Sequence, residues 1–236
     1  MLRPDERLSG WRAVRGQFSF SSTREIAQGL RFGTRIEATE VDERLVQMAP
    51  ELGIAFGTEG PGLRIGDVSV RASGVLYDDR IRLLSARAQD RDIADLAVFD
   101  FDIHAAVCVA AGRPLSAWPH VTARDFDKRI APVLQHYAGM VDQVREYFGV
   151  CDRTGFERMG LWLLENKQAR ASGGNVLGAV FAADLYGDKA LASQMLDDLE
   201  ADWVRRMSSD KERLLVQQVG KAALEDIGRA RRMIAS

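Results

Sequence analysis

Thr34-Arg35-Ile36-Glu37-Ala38 alternates apolar and charged side chains with a period of two, placing Ile36 and Ala38 on one face of an extended chain and Arg35 and Glu37 on the other. The same alternation runs on through Val46 and Met48, Ile54 and Phe56, Leu63, Ile65, Val68, Val70, Val75, Tyr77, Ile81 and Leu83. Between the runs, residues 57–62, Gly66-Asp67, Ser73-Gly74 and Asp78-Asp79 have the composition of turns. Four to six short antiparallel strands in a meander are expected. Arg64, Arg71 and Arg82 mark a wet face, so the apolar face must be covered by other elements.

Working upstream, Ser22 and Glu25 have the S-x-x-E spacing of a capping box, with Ile26, Ala27 and Leu30 on one helical face before Gly33, so a short helix is expected over about Ser22 to Phe32. Trp11, Val14 and Phe18 fit a helix or an entering strand equally well. Downstream, Phe99, Phe101 and Ile103 repeat like a strand, whereas Ile103, Ala106, Val107 and Ala110 repeat like a helix, with Gly112 placed as a C-cap.

Beyond Pro119 every segment has helical periodicity. A long helix opens at Thr122 or Asp125 and closes at Gly149, with Pro132 expected to kink or divide it. Thr154 with Glu157 reads as the cap of the next helix, Asn175 as the cap of a third that ends near Gly187. Leu191 to Trp203 and Leu214 to Ala230 define two more. Leu177, Gly178, Phe181 and Ala190 have spacings that look like part of a tetratricopeptide helix pair, but the turn falls about two residues late and no second copy appears. The segment reads as a generic helical hairpin. The expected fold is α+β: an N-terminal antiparallel β-meander packed against helices, then an all-helical C-terminal half. Residues 1–112 form the β-rich part and 113–236 the helical part, as two domains or one continuous one.

The 236 residues are 46% hydrophobic and 28% charged, a globular balance, and 32 Lys and Arg against 34 Asp and Glu leave a formal charge of -2. No global field attracts a polyanion, so nucleic acid is not expected as a partner. Cys108 and Cys151 have no C-x-x-C spacing, the first nine residues carry charges without an apolar run behind them, and no stretch approaches the roughly 20 apolar residues of a membrane span. A cytoplasmic protein with no membrane contact and no cofactor is the expectation.

Chemistry concentrates in Asp100-Phe101-Asp102-Ile103-His104, with Cys108 four residues on. A strand would align Asp100, Asp102 and His104 on one face; a helix would stack Asp100, His104 and Cys108. Carboxylate and imidazole suit a divalent metal or an acid/base pair, and His120 could join from a neighbouring loop. A polar edge over buried Phe99, Phe101 and Ile103 accounts for the same pattern. His136 lies beside Tyr137 on the long helix. Ala171-Ser172-Gly173-Gly174-Asn175 enters a helix N-terminus with Arg170 beside it, which can hold an anion or serve as a capped linker.

Three functions follow. The first is a non-enzymatic protein-protein interaction protein of adaptor, chaperone-like or immunity type, with a protein partner or a homodimer. The second is a small metal-assisted hydrolase using Asp100, Asp102 and His104 as catalytic or metal residues, with His120. The third is a small-molecule-binding sensor with a closed apolar pocket between sheet and helices.

Overall fold

The computed structural model describes residues 12–14, 18–40, 68–90, 97–114, 120–121, 126–170, 175–209 and 214–235. The strand expectations at Val46, Met48, Ile54, Phe56, Leu63 and Ile65, the turns at 57–62 and Gly66-Asp67, and Arg64, Trp11 and Trp118 lie outside them.

Ile36 belongs to the centre of a long antiparallel ribbon. Strand β2 (Phe18–Ala27) turns through Gln28 and Gly29 into β3 (Leu30–Glu40), which pairs along its whole length with β4 (Val68–Asp78). A short β1 (Arg12–Val14) flanks β2 and the four-residue β5 (Phe99–Asp102) flanks β4, so the order is β1-β2-β3-β4-β5. The two-residue β6 (His120–Val121) pairs with Val68 and Ser69 of β4.

Three local expectations in the first half of the chain are overturned, each for a physical reason. The helix expected over Ser22 to Phe32 is the β2–β3 hairpin. Phe18, Phe20, Thr23, Ile26 and Phe32 are aromatic or β-branched and favour a pleated surface, and Gly29, at φ 74°, closes the turn in a conformation most side chains avoid. Ser73-Gly74 is no turn but the middle of β4, where the missing side chain makes room for the Phe101 ring opposite. Ile81 and Leu83 leave the strand pattern for helix α1 (Asp79–Gln89), because Asp78 caps it: its side chain accepts from the Arg80 amide at 2.9 Å. Arg82 therefore stands on a helix and not on the sheet.

Beyond β5 the ambiguous stretch resolves as strand then helix, with α2 (Ile103–Ala110) followed by Gly112 at φ 63°. Helix α3 (Phe126–Phe148) runs through Pro132 as one element. Then come α4 (Arg153–Glu165), a single 3₁₀ turn (Lys167–Ala169), α5 (Val176–Leu185), α6 (Lys189–Ser209) and α7 (Leu214–Ile234). Thr154 does not cap α4; Asp152, two residues earlier, does so by accepting from the Gly155 amide at 2.9 Å. Asn175 caps α5 as expected, accepting from Gly178.

The apolar sheet face carries Leu30, Phe32 and Ile36 of β3, Val70 and Leu76 of β4, and Phe99 and Phe101 of β5, all buried. It is covered by α3 and α4. The buried Tyr137 hydroxyl donates to the Val70 carbonyl at 2.7 Å, fixing α3 to β4. Phe148, Phe156 and Met159 continue the core, which passes without interruption into α5 through Val180 and Phe181. Each such side chain fully buried stabilises by about 1.5–3 kcal/mol before entropy is counted.

At the end of β4, Asp78 is almost fully buried and accepts from Arg80 Nη2 at 2.6 Å and from the Tyr186 hydroxyl at 3.3 Å, while Arg80 also reaches Glu157 at 3.1 Å. This node locks sheet, α1, α4 and the end of α5 together. Among the described residues no helix is long and apolar enough to cross a membrane.

Candidate functional site

The segment richest in chemical side chains is divided by the strand-to-helix change at Asp102. Asp100, opposite Val75, is exposed on the polar sheet face; burial raises its pKa, Arg35 lowers it and Glu37 raises it again. Asp102 turns back to cap α2, accepting from the Ala105 amide at 2.8 Å. Burial pushes its pKa up, against the opposing pull of that amide, His104 and Arg71.

His104 is buried on α2, its Nε2 3.6 Å from Cys108 Sγ one turn on. Burial lowers its pKa. The helical half of the stacking expectation thus holds for His104 and Cys108, while Asp100 faces elsewhere. His120 lies opposite Ser69 in β6, and its side chain is outside the described residues. His136 is exposed on α3, its ring 6.1 Å from that of Tyr137. Among the described residues no three His, Cys, Asp or Glu side chains gather in a way that could hold a metal ion.

A groove of about 630 Å³ lies beside β5. That size is within the range typical of ligand sites. One wall is the start of β5, where Val98 and Phe99 are buried and Asp100 stands at the rim. The opposite wall is α6, which presents Leu191, Gln194, Met195, Asp198, Leu199 and Asp202. Their spacing of three and four residues is one stripe of a helix, about 16 Å long at 1.5 Å per residue. Leu164 of α4 and Ala179 of α5 complete an apolar floor.

Charged side chains of both signs line the groove, Asp100 on the β5 wall among them. Lys167, in the 3₁₀ turn, and Arg170, just after it, supply the positive ones. Arg170 is held at the sheet edge by a backbone bridge to Phe101 of β5. Burial lowers its pKa. On the α6 side, Asp202 is paired with Arg205 and Arg206, whereas Asp198 is exposed without an ion pair among the described residues.

Chemically, the groove offers an apolar bed with fixed charge at its margins. Its ionisable lining is Asp100, Lys167, Arg170, Asp198 and Asp202. Of the residues singled out in the sequence, Asp100, Arg170 and Asn175 reach the groove; Asp102, His104 and Cys108 do not border it. Lys167 and the exposed stripe of α6 carry no motif. The available signal was the width of the α6 apolar arc: Ala192, Leu196 and Trp203 pack inward, and Leu191, Met195 and Leu199 form a second, half-buried edge.

Comparison with known proteins gives no match: no family model, curated protein or solved structure is significantly similar to this chain.

Proposed function

We propose that this protein is a non-enzymatic interaction protein that holds a short segment of a partner protein in the groove between β5 and α6. The observation that supports it is the half-buried stripe Leu191, Met195 and Leu199, one residue on each of three successive helical turns, which rests partly on the core and leaves its remaining surface lining an open trough. A helix stripe of this kind ordinarily packs against a second element. The trough is open and bordered by charge, unlike the closed apolar cavity that a small-molecule sensor would require. At about 16 Å, the α6 wall matches an extended segment of roughly five residues at ~3.3 Å each.

The experiment is affinity purification of the whole chain from its source cells beside a Met195→Arg variant, which puts a charge in the middle of the stripe. A stoichiometric protein partner retained by the wild type and lost by a variant of unchanged melting temperature is the expected result. A partner retained equally by both, or none with either, overturns the proposal.

A further inference from the structure

Two cations at the sheet edge have no ion pair among the described residues. Arg170 is half-buried, yet it makes no ion pair or side-chain hydrogen bond to the described residues. Withdrawing a guanidinium from water costs free energy unless a partner compensates, and natural proteins seldom bury arginine unpaired. Elsewhere in the chain arginines do find carboxylates: Arg80 with Asp78 and Glu157, Arg229 with Asp226, Arg231 with Asp197 and Glu200. Lys167 lies three residues from Arg170, lines the same groove, and is likewise without an ion pair among the described residues. The α5 N-terminus cannot supply the missing partner, since it is a donor end and Asn175 already caps it.

We infer that the occupant of the groove is a polypeptide segment carrying an Asp or Glu side chain, with that carboxylate seated between Lys167 and Arg170 and neighbouring apolar residues laid on Phe99, Leu164 and Met195. This rests on the groove being a peptide site and adds the chemistry it selects. Arginine can grip a carboxylate through two parallel N–H donors, so Arg170 supplies direction as well as charge. Lys167, more exposed, contributes attraction that salt screens. Asp198, across the groove on α6, disfavours a second acid there and favours a basic or neutral residue at that end of the segment.

The test pans a phage library of random twelve-residue peptides on the full-length protein, on Met195→Arg and on the double variant Lys167→Glu with Arg170→Glu. Peptides enriched on the wild type should share an acidic residue flanked by apolar ones. They should bind the double variant about tenfold or more weakly, and the double variant should itself enrich peptides with Lys or Arg at the acidic position. Arg170→Ala alone should weaken binding more than Lys167→Ala. Enriched peptides that lack the acidic residue, or that bind the double variant equally, overturn the carboxylate preference while leaving a peptide groove, provided Met195→Arg abolishes their binding. Peptides indifferent to Met195→Arg, or no enrichment at all, remove the groove as a peptide site and the inference with it.

Discussion

Gly74→Ala is the substitution on which the placement of β5 can be tested most directly. A Cβ at position 74 would stand 2.0 Å from Phe101 Cζ and 2.5 and 2.6 Å from the two Cε atoms, all on one ring. Carbon atoms rest at about 3.5–4.0 Å, so the ring must retreat by roughly 1.5 Å. Phe101 has no solvent exposure and the Phe32 ring is 6.3 Å away, so it can retreat only by shifting β5 or its neighbours in the core. Overpacking of this kind costs about 1–3 kcal/mol. At ~2–4 °C per kcal/mol for a chain of this size, the melting midpoint should fall by roughly 2–12 °C.

Scanning calorimetry of four proteins checks it: wild type, Gly74→Ala, Phe101→Leu and the double variant. Removing the ring relieves the clash, so the double variant should be more stable than the sum of the single losses predicts, by about 0.5–3 kcal/mol. Gly139→Ala is the control, since its Cβ meets nothing within 4 Å and it lies inside α3, where alanine is favoured by ~0.5–1 kcal/mol. A Gly74→Ala protein that melts with the wild type, or strict additivity with Phe101→Leu, would refute the close approach of ring and strand.

Asp78→Ala should cost about 1–3 kcal/mol by urea titration, because it leaves the buried Tyr186 hydroxyl without its acceptor and uncaps α1, while Arg80 keeps Glu157; a loss under ~0.5 kcal/mol would show the node to be unimportant. His104 gives a pH signature. Its pKa is depressed below the ordinary 6.5 by burial first and by His136 and Arg113 next, with Asp102 opposing. Between the folded pKa and 6.5 the unfolded chain binds more protons, so stability rises with pH there and is lost as pH falls below 6.5. His104→Gln should flatten that limb of the melting curve between about pH 8 and pH 5; identical limbs in both proteins would remove His104 as its cause.

The α+β division is legible because two periods occupy two parts of the chain, and a period survives ignorance of tertiary structure. Local errors arose where one residue pattern has two uses. Ser22 and Glu25 have capping spacing, but they are two polar residues on opposite faces of a strand. Ser73-Gly74 has turn composition, but the glycine answers to a ring about 27 residues away in sequence, which local composition does not encode. The groove was legible only at Asp100, Arg170 and Asn175, since Lys167, Phe99 and the α6 stripe meet them through topology alone. Asp102 and His104 looked chemical because acid and imidazole are rare together, whereas local geometry assigns the first to a helix end and the second to the interior.

The order in which the sheet receives its cover bears on how the chain is made. When Asp78 leaves the ribosome, the hairpins of β2, β3 and β4 can form, but the cover of Leu30, Phe32, Ile36, Val70 and Leu76 by α3 and α4 is complete only when α4 ends at Glu165. At about 5–20 residues per second, that interval of roughly 90 residues lasts on the order of 4–20 s. The nascent protein thus carries an incompletely covered apolar ribbon for longer than hairpins take to form, about 1–10 μs. Slowing translation between β4 and α4 lengthens that exposure.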